Sequence, residues 1–186
     1  MSLITFIIPS LNRDTLSTSV ESLLNQTNED WRCIIVYDGV SGISFSDPRI
    51  QTIDSKKLGS MANYGGESGL VRNIGIALCN TDWIGFLDDD DTLDRNYVQT
   101  LSDEYLDYDF VVWRMIFSDG IIMPPLESDE IIWERVGISF CYNQKKLSKI
   151  FFDNSIRGED YFFLEKMKNL TKNYTVAKEI LYKVRH

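Results

Sequence analysis

Residues 83–94 read WIGFLDDDDTLD, an apolar run that ends in four consecutive aspartates, Asp88 to Asp91. No other stretch constrains the fold as much. A short continuous apolar run reads as a buried strand, as in a sheet covered by helices on both faces. Four adjacent like charges repel one another, so the strand must end at an edge open to water or to a cation. In open α/β sheets ligands bind outside the carboxyl ends of the strands, which puts these acids where a site is expected. The plain structural alternative is a solvated acidic turn or a helix N-terminus.

The rest of the chain reads as the sheet this strand needs. LITFIIPS (3–10) is a buried strand ending at a proline. From Asp14, a candidate N-cap, Leu16, Val20, Leu23 and Leu24 recur at helical spacing. WRCIIVYDG (31–39) and RIQTID (49–54) are the next strands, and strand, helix, strand within about 35 residues indicates a parallel βαβ unit. The glycine-rich LGSMANYGGESG (58–69) reads as a loop, followed by a helix carrying Leu70, Ile74, Ala77 and Leu78 on one face. DFVVWRMIF (109–117) and VGISFCYN (136–143) are strand candidates around a loop with Pro124 and Pro125. EDYFFLEKMKNL (159–170) is helical, and YTVAKEILYKVRH (174–186) ends in a strand.

At 186 residues and 44% hydrophobic, the chain supports one sizeable core and a single domain. Its 28 acidic and 19 basic residues give a net charge of -9, which disfavours nucleic acid as a partner. Cys33, Cys79 and Cys141 lie far apart in apolar segments, as free buried thiols of a reducing compartment do. LITFII is too short for a signal peptide or a membrane span. The expectation is a soluble cytoplasmic protein without a transmembrane segment, acting free, at a membrane surface or as one domain of a larger protein.

Carboxylate oxygens suit Mg2+ or Mn2+, whose shells are commonly completed by one or two carboxylates and substrate phosphates. A second acidic point is IRGEDYFF, where Gly158 precedes Glu159 and Asp160 at a helix start. Dipole compensation explains these acids structurally; the functional reading makes one of them a general base. Asp38, at the end of the second strand, is a turn aspartate or a ligand of a base or ribose. Arg72 and Asn73 follow a glycine-rich loop and could hold a phosphate, although an exposed arginine on a helix is commoner. His186, the only histidine, is terminal.

Taken together these segments resemble a family 2 glycosyltransferase of the GT-A fold. FIIPSLNR is similar to the first-strand motif Ile-Pro-Thr-Tyr-Asn-Arg, and SVESLLNQTNEDWRCIIVYDG to the helix, Gln-Thr turn and second strand that normally ends Asp-Asp-Gly-Ser. GLVRNIGIALCNTDWIGFLDDDD resembles the Ala-Arg-Asn-x-Gly helix and the strand with its Asp-x-Asp signature. RGEDYFF resembles the later Glu-Asp motif, and LYKVRH the closing Tyr-x-x-Arg-x-His type of ending. Five such motifs in order cover nearly the whole chain.

The resemblance implies a Rossmann-like, mainly parallel central sheet flanked by helices, with a smaller antiparallel portion on the acceptor side. Residues 1–92 would form the nucleotide-sugar-binding half and 93–186 the acceptor and catalytic half. It implies a metal-dependent inverting hexosyltransferase using a nucleoside-diphosphate sugar, UDP-linked, and a glycan or glycoprotein hydroxyl as acceptor. Donor-binding positions would be Pro9, Ser10, Leu11, Asn12, Arg13, Asp38, Gly69, Arg72, Asn73, Asp88 and Asp89. Asp88, Asp90 and His186 would hold Mn2+ or Mg2+, with Asp91 able to shift this register by one. Asp160 matches the catalytic base, with Glu159 beside it, and partial burial would bring its pKa closer to that of an effective base.

Tyr37 stands in place of the first acid of the usual pair, Val40 interrupts the Gly-Ser step, and Leu11 replaces a common tyrosine. Residues 113–142, including Trp113, Trp133 and the Pro124–Pro125 loop, are the expected acceptor side, with core packing as the alternative for the tryptophans. A nucleotidyltransferase and a catalytically inactive sugar-nucleotide-binding domain are the rival readings.

Overall fold

The computed structural model describes residues 2–59, 68–153 and 158–185. Among these residues a nine-stranded sheet runs in the order Ile50–Ser55, Trp31–Asp38, Ile4–Ser10, Trp83–Phe86, Phe140–Asn143, Phe110–Ile116, Tyr174–Lys183 and Thr92–Leu93, with Ile122–Met123 paired to Phe110–Ile116. The first half is the βαβ unit read from the sequence: β1 (Ile4–Ser10), α1 (Leu16–Leu24), β2 (Trp31–Asp38) and β3 (Ile50–Ser55). Every residue of β1 is buried, which is why it carries no polar alternation. β1 pairs in parallel with both β2 and β4 (Trp83–Phe86), so Ser10, Asp38 and the residues after Phe86 leave the sheet at one edge.

Two helix details differ from the sequence reading. Asp14 is exposed and does not cap α1; the helix is preceded by Thr15 without a side-chain cap, and the Leu16 N–H bonds the Arg13 carbonyl. The buried face of α2 (Gly69–Leu78) carries Val71, Arg72, Gly75 and Ile76, while Leu78 is 50% exposed. Hydropathy placed Arg72 outside, yet Gly75 requires the opposite. A Cβ at Gly75 would come within 2.5 Å of the Ile7 side chain, so the helix lies almost on β1 along this line and carries Arg72 in with it.

After β4 come β5 (Thr92–Leu93), α3 (Tyr97–Thr100) with a π-type turn at Leu101–Tyr105, β6 (Phe110–Ile116) and β7 (Ile122–Met123). β8 (Phe140–Asn143), α4 (Gln144–Leu147), α5 (Glu159–Leu170) and β9 (Tyr174–Lys183) complete the chain. The antiparallel portion is the β4–β8, β8–β6, β6–β7 and β5–β9 pairs, but β6 and β9 are parallel, so β9 also points its carboxyl end at the acidic edge. Phe163 of α5 packs among Phe86, Phe140 and Phe152, with the Phe152 ring 4.3 Å away. That cluster docks α5 on β4 and β8 and brings its first turn beside the end of β4.

All three cysteines are free and buried, as expected. Trp113 is wholly buried against Tyr97 and Tyr105 and belongs to the core, not to an acceptor surface. Among the described residues no helix is long and apolar enough to cross a membrane.

Candidate active site

The four aspartates form a tight turn, closed by the Asp91 N–H on the Asp88 carbonyl at 3.2 Å. A turn sends successive side chains in different directions, which keeps their charges apart. The buried Asp89 reaches back to β1, accepting from Ser10 Oγ at 2.7 Å, from the Leu11 N–H and from Arg13. Asp90 takes the Arg13 guanidinium at 2.8 Å. Asp88 and Asp91 instead line one open pocket of about 210 Å³ together with Asp160.

Tyr182, near the end of β9, holds this turn. Its hydroxyl accepts from the Asp88 N–H at 3.1 Å and donates to the Asp91 carboxylate, while the Arg185 N–H adds a further bond to Asp91. Burial, then the nearby Asp88 charge, pushes Asp91 up to about 7 against those bonds. A cation beside it would relieve both causes.

Arg72 collects the second acidic point. Only 3% exposed, it donates to Asp88 Oδ1 at 2.5 Å and to Glu159 Oε1 at 2.7 Å, and its Nη1 stands 3.8 Å from Asp160 Oδ1. Burial opposes its charge, but Asp88, Asp160 and Glu159 outweigh it and hold the guanidinium firmly protonated. Glu159 Oε2 also accepts the Gly69 N–H at 2.9 Å, where a Cβ on Gly69 would meet that same oxygen at 2.5 Å. Glu159 is thereby a tie between two helix starts. Asp160 differs: its Oδ1 is sealed and has no hydrogen-bond partner, although the side chain is 26% exposed, which leaves Oδ2 toward the pocket. Burial pushes it up to about 7, opposed by Arg72 and reinforced by Asp88 and Glu159.

A family model described as Glycosyl transferase family 2 matches residues 63–167, more than half of the chain. The chain belongs to glycosyltransferase family 2. It is similar to an uncharacterized glycosyltransferase of Rickettsia bellii, 34% identical over 104 residues, covering 52% of this chain and 14% of that protein. It is also similar to the glycosyltransferase GlyA of Streptococcus pneumoniae, 25% identical over 218 residues, covering 98% of this chain and 30% of that one. The chain therefore spans less than a third of the length of these relatives. Among solved structures, TarS 1–349 of S. aureus superposes with a TM-score of 0.72 at 16% identity, over 98% of this chain and 60% of that chain. The same protein in complex with UDP-GlcNAc gives 0.74, over 99% and 58%. The mannosyltransferase PcManGT of Pyrobaculum calidifontis, in complex with GDP-Man and Mn2+, gives 0.63 at 10% identity, over 97% and 56%. These likenesses establish the GT-A type of fold for this family 2 member.

The remaining family positions are distributed unevenly. Asp38 is buried; burial alone would raise its pKa, but Lys57 at 2.7 Å and the Leu58 and Gly59 N–H groups hold it below the usual carboxylate range. Tyr37 is also buried, packs on Gly42 and donates to the Ile43 carbonyl. Asn12 has a left-handed backbone (φ 59°) and its N–H bonds Ser10 Oγ; Pro9 is buried in β1 and Leu11 is exposed. Asn73 exchanges two hydrogen bonds with the Phe152 backbone, which fixes the approach to α5. His186 lies outside the described residues, as does most of the glycine-rich loop. Tyr182 and Arg185 received no role from the sequence, although both lie in the closing LYKVRH stretch. Their long-range partners were what local pattern could not supply.

Proposed function

We propose that this domain transfers a sugar from a nucleoside-diphosphate sugar, UDP-linked, to a hydroxyl of a glycan or other acceptor, with inversion at the anomeric carbon. The observation that carries it is Asp160: a carboxylate with one sealed oxygen that accepts no hydrogen bond, elevated to about 7, facing a pocket shared with Asp88 and Asp91. Such a group suits a general base, because burial makes it basic enough and its Oδ2 is the oxygen left toward the pocket.

In this reading the acceptor oxygen attacks the anomeric carbon from the face opposite the diphosphate. Its proton passes to Asp160 Oδ2, and the anomeric carbon–oxygen bond breaks with its electron pair leaving on the diphosphate. Arg72 keeps Asp88, Glu159 and Asp160 together and limits how far Asp160 rises. The 1–92 half would carry the donor and the 93–186 half the acceptor.

The donor set fits a hard divalent cation. Among the described residues no three ligating side chains close around a metal ion, but one or two carboxylates suffice when diphosphate oxygens complete the shell. Asp88 with Asp90 or Asp91 would hold Mn2+ or Mg2+, with His186 as a further ligand by resemblance. The lining favours Asp91 over Asp90, whose carboxylate is taken by Arg13. When bound, the ion would stabilise charge on the leaving diphosphate. The UDP-GlcNAc complex of TarS supports the donor class, and the GDP-Man complex of PcManGT marks the competing base.

The test is nucleoside diphosphate release from a panel of UDP-, GDP- and dTDP-sugars, with Mn2+ and with EDTA, on wild type and Asp160→Asn. Turnover lost with nucleotide affinity retained supports the reading. Release of pyrophosphate from nucleoside triphosphates, or binding without turnover on any donor, overturns it.

A further inference from the structure

The pocket beside Asp160 is polar on one side only. Along the ladder Met115 of β6 pairs with Met123 of β7 and with Tyr182 of β9, so the three side chains form a row across one face of the sheet. The row starts at the hydroxyl that holds Asp88 and Asp91 and ends in two thioethers, and Val136 and Ile138 extend the apolar side. Gly137 makes this possible: a Cβ there would meet Met115 Sδ and Cε at 3.1 Å.

Three properties of this wall restrict its occupant. A volume of about 210 Å³ is small beside the roughly 300–1,000 Å³ of sites for drug-sized ligands and is of the scale of one sugar ring against this wall. Among the described lining residues four carboxylates, Asp88, Asp91, Asp160 and Glu134, stand with one cation, Arg135, a lining that favours a neutral sugar over one carrying a further negative charge. A hydroxyl of an unsubstituted hexose turned toward methionine, valine and isoleucine finds no adequate partner there, and burying it unpaired is costly. Methionine instead conforms to small apolar groups.

We propose that the Met115–Met123–Val136–Ile138 wall receives the methyl of an acetamido group on a neutral sugar, with Glu134 and Arg135 at its margin beside the amide. The inference rests on the reading of this pocket as the transferase centre, and it names the sugar that the centre takes. The same chemistry serves a donor or an acceptor amino sugar.

Saturation-transfer NMR separates the two sources. One arm compares UDP-GlcNAc with UDP-glucose; the other compares N-acetylglucosamine with glucose in the presence of UDP. The acetyl methyl should take the strongest saturation of the sugar protons in one arm, with roughly tenfold weaker binding of the sugar that lacks it. Met123→Gln, on a partly buried two-residue strand, should remove the methyl signal, and Gly137→Ala, whose Cβ crowds the end of Met115, should weaken it, while uridine signals persist in both. Equal saturation of methyl and ring protons in both arms, or a methyl signal unchanged in both variants, overturns the proposal. A methyl signal with no sugar transfer from any donor defeats the transferase reading and leaves this subsite standing; transfer without methyl selectivity does the reverse.

Discussion

Replacing Asp160 by Asn should make the protein more stable at pH 8 while removing its turnover. The folded-state pKa is about 7 against an ordinary aspartate value of 3.8, so the native state binds more protons than the unfolded chain between about pH 4 and pH 7. Stability therefore falls as pH rises across that window, and the full penalty is present above 7. About three units at about 1.4 kcal/mol each give roughly 4 kcal/mol gross. Water reaching the exposed quarter of the side chain screens part of this, leaving on the order of 2 kcal/mol. Asparagine removes the charge at nearly constant volume, and Arg72 stays neutralised by Asp88 and Glu159. For a chain of this size the gain corresponds to a Tm rise of roughly 4–8 °C at pH 8. At pH 5 the gap should shrink to about a third, because the native carboxylate is then protonated already. Thermal melts in EDTA at the two pH values check it. An equal or lower Tm for the variant at pH 8, or a difference independent of pH, would refute the claim that Arg72 offsets the burial of this carboxylate only in part.

Three further outcomes follow from the same contacts. The kcat/KM of sugar transfer should fall about tenfold per pH unit below about 7 and flatten above it, since the base works ionised; a limb centred near 4 would remove Asp160 from that role. Arg72→Met should cost on the order of 3–5 kcal/mol in denaturant melts, because it leaves Asp88, Glu159 and Asp160 without their shared cation, and raising salt should recover little of it. Asp91→Asn should weaken Mn2+-dependent nucleotide binding tenfold or more by calorimetry, whereas Asp90→Asn, which loses the half-exposed Arg13 pair, should weaken it less; the reverse order would move the metal to Asp90.

Much of the architecture is legible in the sequence. LITFIIPS, WRCIIVYD and WIGF are largely apolar and rich in β-branched and aromatic residues, and short runs of that kind suit the middle of a sheet covered on both faces. Their polar ends then had to meet at one edge. The face of α2 was not legible, because counting apolar residues puts an arginine outward. Only a close helix–strand contact at Gly75, and three acids from distant segments, make the inward orientation favourable.

The sequence by itself determined that four aspartates would stand at the carboxyl edge of a buried strand, and that a Glu-Asp pair would open a later helix. Local periodicity and capping chemistry suffice for that. Tertiary structure alone decided what each acid does: Asp89 pins β1, Asp90 pairs with Arg13, Asp88 and Asp91 turn into the pocket, and Asp160 is left with a sealed oxygen. Those outcomes depend on Ser10, Arg72, Tyr182 and Arg185. Apart from Arg72, these partners lie some 80 or more residues away along the chain from the acids they contact, a separation that a local pattern does not encode.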